Sequence, residues 1–194
     1  MKYLKNRKTA VIIAVATAFL TLAVGVNRTL TRMSLEVESL FYDGVYNEAQ
    51  GFLEQSINSQ LERMAATTLN FATLMQSYPH LESEADEALR LRRELLGAET
   101  ISGKWVAARD LVGAFSFLIE AAERGGHLSE RDMDALEDDW RSFSGAYGYI
   151  NNSLVPLYEG KINEFLEGRS FIAALISSAS PEAFSSNGRI AQTR

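Results

Sequence analysis

The sequence predicts an all-α protein: an antiparallel up-and-down bundle of long, coiled-coil-like helices behind one N-terminal transmembrane helix. Three observations carry the prediction. Thr9 to Val26, TAVIIAVATAFLTLAVGV, contains no charge and no proline. At about 1.5 Å per residue such a run is just long enough to span a hydrocarbon core of roughly 30 Å. Further along, three segments place apolar side chains at alternating steps of three and four, which gives a helix one apolar face. Finally, prolines occur only at 79, 156 and 181, so little interrupts a long helix.

Lys2, Lys5, Arg7 and Lys8 precede the apolar run, and only Arg28 and Arg32 follow it closely. Basic residues resist translocation, so the short N-terminus, 1–8, is expected inside and the rest of the chain outside. Ala23 and Gly25 also fit a secretory signal peptide cut after Gly25. The length of the run, and the absence of a turn signal from Val26 through NRTLTRMSLEVESLF, favour an uncleaved anchor over 9–26. A bundle domain is expected over 27–176 and a disordered tail of small and polar residues over 177–194.

The domain has room for a sizeable core. Without the first 26 residues the chain holds 15 Lys and Arg against 25 Asp and Glu, a formal charge of −10. That balance disfavours nucleic acid and anionic surfaces as partners of this part. There is no cysteine, which excludes disulfides and thiolate metal sites.

Leu30, Met33, Val37, Leu40 and Phe41 place an apolar face on a helix continuous with the anchor. Asp43-Gly44 breaks the pattern, which begins again at Tyr46-Asn47-Glu48. Ile57, Leu61, Met64, Thr68, Phe71, Met75 and Tyr78 then form a seam with one polar interruption, and Pro79 makes Tyr78 its last position. SEADEALRLRRELL reads as a short connecting helix ending at Gly97. Ser102 offers a cap for a helix with Trp105, Ala108, Val112, Phe115, Ile119 and Ala122 on its seam, stopped by Gly125-Gly126. Ser129, followed by acids, opens the last long helix. Its seam is Met133, Leu136, Trp140, Phe143, Tyr147, Ile150, Leu154, Leu157, Ile162 and Phe165, with a kink expected at Pro156. LEGRSFIAALISSAS, which follows, suits a short helix on the bundle end or at the membrane.

Groups for chemistry are few. His80 and His127 fall in expected turns, with no second histidine at ligand spacing. Asp132, Asp134, Glu137, Asp138 and Asp139 decorate a helix rather than a calcium loop and read as a solvated face. Trp140, Phe143, Tyr147 and Trp105 read as core, with an interface role also open to Trp105 near its helix start. The amides of Gln60, Asn70, Asn151, Asn152 and Asn163 flank the seams, where interhelical hydrogen bonds would fix register. No catalytic residue, cofactor or metal is expected.

One stretch has a family likeness. NNSLVPLYEGKINEF, from Asn151 to Phe165, resembles the YNxAVxxYNxxIxxF signature of LemA-family proteins, matching at Asn152, Val155, Tyr158, Ile162 and Phe165. It departs at Asn151, Glu159 and Leu166. QLERMAATTLN is similar to the family's QLxRR…N segment, with Gln60, Leu61, Arg63 and Asn70 in register, and Ile172-Ala173 resembles the family's IA step after an insertion. The resemblance implies a helical bundle behind one transmembrane helix, without enzymatic activity, in an accessory role beside other envelope proteins. The family topology, N-terminus outside, is opposite to the one implied by the charges here.

The function expected from these readings is a non-catalytic, membrane-anchored interaction or accessory protein at the cell envelope. Its partners would be the membrane, through the N-terminal helix, and another envelope or membrane protein. An extracytoplasmic sensory or ligand-binding bundle is the alternative, weakened by the eight residues that alone precede the anchor. A cryptic enzyme would require a carboxylate pair of raised pKa among Glu120, Glu123 and Asp132.

Overall fold

The computed structural model describes residues 7–47, 51–125 and 128–168. Helix α1 runs from Arg7 to Tyr42, followed by strands β1 (Val45–Asn47) and β2 (Phe52–Glu54) and helices α2 (Ile57–Met75), α3 (Glu82–Gly97), α4 (Ile101–Gly125) and α5 (Glu130–Tyr149). A π-helical turn, Ile150–Leu154, leads into α6 (Val155–Gly168). The expected tail, His127 and Ile172-Ala173 lie outside the described residues. The chain forms two compact units, one containing 7–38 with 161–168 and the other lying within 39–160.

In the first unit, α1 is long and apolar enough to cross a membrane, and its apolar window is not buried in the protein. The threonine hydroxyls within the run donate to carbonyls one turn back, Thr17 to Ile13 at 2.8 Å and Thr21 to Thr17 at 2.9 Å. These polar groups are therefore satisfied without water, as a hydrocarbon setting requires. Past the run, Leu30 packs with Phe165 of α6 in a small cluster joined by Val26 and Met33.

The second unit is the bundle. Helix α2 packs against both α3 and α5, and α3 packs against α4. Pairs of contacts give the directions. Arg63 on α2 and Tyr78 in the turn after it meet Ser142 and Asp132 of α5, so one number rises as the other falls. Ala65 and Gln76 likewise meet Arg92 and Asp86 of α3. Both neighbours of α2 are therefore antiparallel to it.

Burial follows the seams of α2 and α4 closely. Ile57, Leu61, Met64, Thr68, Phe71 and Met75 are all buried on α2, as are Trp105, Ala108, Val112, Phe115, Ile119 and Ala122 on α4. The polar interruption, Thr68, returns its hydroxyl to the Met64 carbonyl at 2.9 Å and leaves no unsatisfied donor in the core. Between the helices, Phe115 stacks on Phe143 with ring centroids 4.1 Å apart and meets Phe71 edge-on at 5.2 Å.

Several elements differ from expectation. Helix α2 ends at Met75, and Ser77, Tyr78 and Leu81 close tight turns onto Leu74, Met75 and Tyr78. Pro79 excludes Tyr78 from the helical region, and the unwinding propagates back through that turn. Helix α3 is a full member of the bundle, burying Ala85, Ala88, Leu91 and Leu95. Its charge hid that stripe, because alanine supplies a close-packed face without standing out as apolar. The cap of α4 is Thr100, whose hydroxyl oxygen accepts from the Gly103 N–H at 3.0 Å, and Ser102 is already inside the helix. Instead of resuming as helix after Asp43-Gly44, the chain forms a short antiparallel ribbon, with Tyr46 opposite Leu53. Gly51 has φ +70°, a left-handed conformation open to glycine. Ser129 caps α5 as expected, accepting from the Asp132 N–H at 3.2 Å.

The disturbance at Pro156 takes the form of the π turn. Proline has no N–H, and its ring displaces the carbonyl four residues back, so the turn before it widens. The Val155 N–H reaches Ile150. One extra residue in the turn shifts the apolar face, so Val155 and Tyr158 are buried while Leu157 is 45% exposed. Trp140 also leaves its expected place in the core and is 41% exposed.

Candidate functional site: a polar bundle end and two surfaces

At one end of the bundle, the turn after α2 meets the start of α5. Pro79 stops α2 so that the Tyr78 ring points across to the capped N-terminus of α5, where the Tyr78 hydroxyl donates to Oδ2 of Asp132. Ser129, as the cap, holds Asp132 in the first turn. His80 stands edge-on to Tyr78 with centroids 6.2 Å apart. On its other side it approaches the end of α4, where a β-carbon on Gly125 would lie 2.7 Å from Nε2 of His80. A side chain at Gly125 would therefore displace the exposed His80 imidazole from this position.

The electrostatics of this end favour a lock over a proton relay. Asp132 is held below the usual carboxylate range, first by the Tyr78 hydrogen bond and then by that of Ser129. Tyr78 is pushed above the usual phenol range, chiefly by the hydrogen bond to Asp132 and then by burial. Each group moves away from neutrality, whereas a general acid or base works best when it moves toward it. Of the three acids among which a cryptic enzyme would need a raised pair, Glu120, Glu123 and Asp132, Asp132 is thus shifted the other way.

Two further faces, on α5 and α3, hold acids of shifted pKa. Asp139 on α5 is pushed up by burial and then by the neighbouring charge of Asp138, while Asp138 pairs with Arg141 at 2.9 Å. On α3, Arg90 pairs with Glu87 at 2.6 Å and also with Glu94, and it holds Glu87 below the usual range. Glu87 and Arg90, with Gln76, Ser83, Asp86 and Arg93, line an open depression of about 700 Å³. Among the described residues, no group of three or more His, Asp or Glu is placed to hold a metal ion.

No protein-family model, no curated protein and no solved structure matches the chain. The positions that carry the LemA resemblance are therefore read from their surroundings. Gln60, Leu61, Val155, Tyr158 and Phe165 are buried, Ile162 is half-buried, and Arg63, Asn70 and Asn152 are exposed. Tyr158 lies edge-on to Phe41 at 6.4 Å. Arg63 reaches across to Ser142 of α5 at 3.4 Å. The buried ones among these positions serve packing within their own units.

Two of the flanking amides, Gln60 and Asn151, act locally. The Gln60 amide donates to Gln55, five residues back. Asn151 interacts with Tyr147 one turn earlier, while burial pushes the phenol of Tyr147 up. Cross-helix polar ties come instead from Arg63, from Thr67 to Ser142 at 3.4 Å, and from Arg92 to the Ala65 carbonyl at 2.8 Å. The bundle also presents apolar side chains to solvent on its last two long helices: Val106 and Phe117 on α4, and Trp140 on α5.

Proposed function

We propose that this chain is a non-catalytic, membrane-anchored, LemA-like helical bundle that acts as an interaction or accessory protein at the cell envelope. The observation that carries this reading is the continuity of α1. An apolar run left unburied by the protein passes without a break into a helix that buries Leu30 and Val37. An apolar helix that the protein itself does not cover gains most by burial in lipid. The charge asymmetry around the run supports the orientation with residues 1–8 inside and the bundle outside. Phe117 and Trp140 supply aromatic side chains of the kind enriched at protein interfaces, and Val106 adds exposed apolar surface.

The test uses the full chain in its own membranes, with photoreactive side chains at 106, 117 and 140. Resistance to extraction by alkaline carbonate, together with recurrent crosslinks to one membrane or envelope protein, is the expected outcome. Release by carbonate would overturn the anchor. Crosslinks no different from those of a probe at Arg109, on the same helix, would overturn the interaction surface.

A further inference from the structure

Beyond its apolar run, α1 carries a second face. Leu30, Ser34 and Val37 are buried, whereas Val24, Asn27, Arg28, Thr31, Arg32 and Leu35 recur at steps of three and one and line an open depression of about 810 Å³. The donors in that depression are unequally used. Thr31 spends its hydroxyl proton on the Asn27 carbonyl at 2.9 Å, and Arg32 is tied to Glu36 at 3.1 Å. Arg28 makes no hydrogen bond or ion pair among the described residues, although Asn27 and Thr31 stand beside it.

Height above the apolar run identifies the ligand. At about 1.5 Å per residue, Arg28 sits roughly 3 Å beyond Val26 and Arg32 roughly 9 Å beyond it. The headgroup layer on each side of the hydrocarbon is about 5–8 Å thick. Arg28 is thus level with the lipid phosphates and Arg32 with the outer edge of that layer. Val24, below, is more than half exposed and offers an apolar contact where acyl chains begin.

We infer that this face is a binding site for the phosphate of an anionic phospholipid, with Arg28 as its principal ligand and the Asn27 amide beside it. The inference rests on the proposed anchor. The guanidinium supplies paired donors that fit a phosphodiester. The body beyond residue 26 has a formal charge of −10 and repels an anionic surface. The two arginines on this face are the cations nearest the apolar run on the bundle side, so they offset that repulsion at the point of contact. Val24 favours a lipid over a free phosphate, which has no use for an apolar floor.

The full chain, extracted in mild detergent and offered phosphatidylglycerol or phosphatidylcholine, is examined by native mass spectrometry. Retention of phosphatidylglycerol is expected to exceed that of phosphatidylcholine and to fall about fivefold in Arg28→Ala, the usual worth of one basic residue at an anionic surface. Arg109→Ala, which removes an exposed cation from α4, should leave retention unchanged. Equal retention of the two lipids, no loss in Arg28→Ala, or displacement by inorganic phosphate would each overturn the site. Carbonate extraction of the same variants is read separately: release from membranes would count against the anchor, whereas firm anchoring without lipid preference would count against this site alone.

Discussion

Phe115 and Phe117 lie two residues apart on α4 and provide an internal comparison. Phe115 is fully buried, stacked on Phe143 and edge-on to Phe71, whereas Phe117 is 53% exposed with Arg124 over its ring at 6.0 Å. Burying a phenylalanine removes roughly 150 Å² from water, worth about 4 kcal/mol at 25 cal/mol per Å². The cavity left by Phe115→Ala places the expected loss at about 3–5 kcal/mol. For a bundle of this size about 4 °C accompanies each kcal/mol, so the melting temperature should fall by about 12–20 °C. Phe117→Ala should cost about 1 kcal/mol or less, since it loses a partial contact and one weak cation–π pair. Thermal unfolding of the full chain in micelles, followed by far-ultraviolet circular dichroism, measures both. Equal shifts for the two variants would refute the packing described for α2, α4 and α5.

Two further predictions concern titration. Asp132 is held below its ordinary pKa, so the stability it lends is present above about 3.9 and is lost as pH falls through the lowered value. Tyr78→Phe should raise the Asp132 pKa, read by carboxyl NMR titration, and make the acid limb of stability shallower; an unshifted Asp132 would remove the lock. Asp139 has the opposite sign: its raised pKa means that stability present below about 3.9 is lost as pH rises through the folded value. Asp139→Asn should therefore raise the melting temperature at neutral pH, with a gain that vanishes in acid, and a gain equal at both would show that charge is not its cause.

What was legible in the sequence depended on how each helix makes its core face. Helices α2 and α4 bury large apolar side chains at regular steps, and each of their seam positions through Met75 and Ala122 is buried. Helix α3 hides its face behind acids and arginines, because Ala85 and Ala88 pack by being small. The ribbon at Val45–Glu54 is three residues a strand, too short for alternation to stand out. Ser129 announced its helix, but its partnership with Tyr78 through Asp132 joins residues 54 apart and has no local signal. The face containing Asn27, Arg28 and Arg32 was visible only as charge placement until the burial of Leu30 and Val37 showed which side of α1 remains open.

The turn before Pro156 shows why a correct apolar pattern can still give the wrong face. A regular helix turns about 100° per residue, so one residue added by a π turn moves the inward side on by one position. A strict count from Ile150 through Leu154 puts Leu157 inside, and the widened turn puts Tyr158 there. The two substitutions should therefore separate sharply. Tyr158→Ala removes a buried ring packed against Phe41 and should cost about 3–5 kcal/mol. Leu157→Ser, at a position 45% exposed, should cost about 1 kcal/mol or less. Deleting one residue from the π turn should restore a regular helix and bring Tyr158 to the seventh position after Ile150, so Tyr158 stays inside and Leu157 outside. In that shortened chain the order of the two costs should persist, and a reversed order would mean that the extra residue of the π turn does not set the phase of α6.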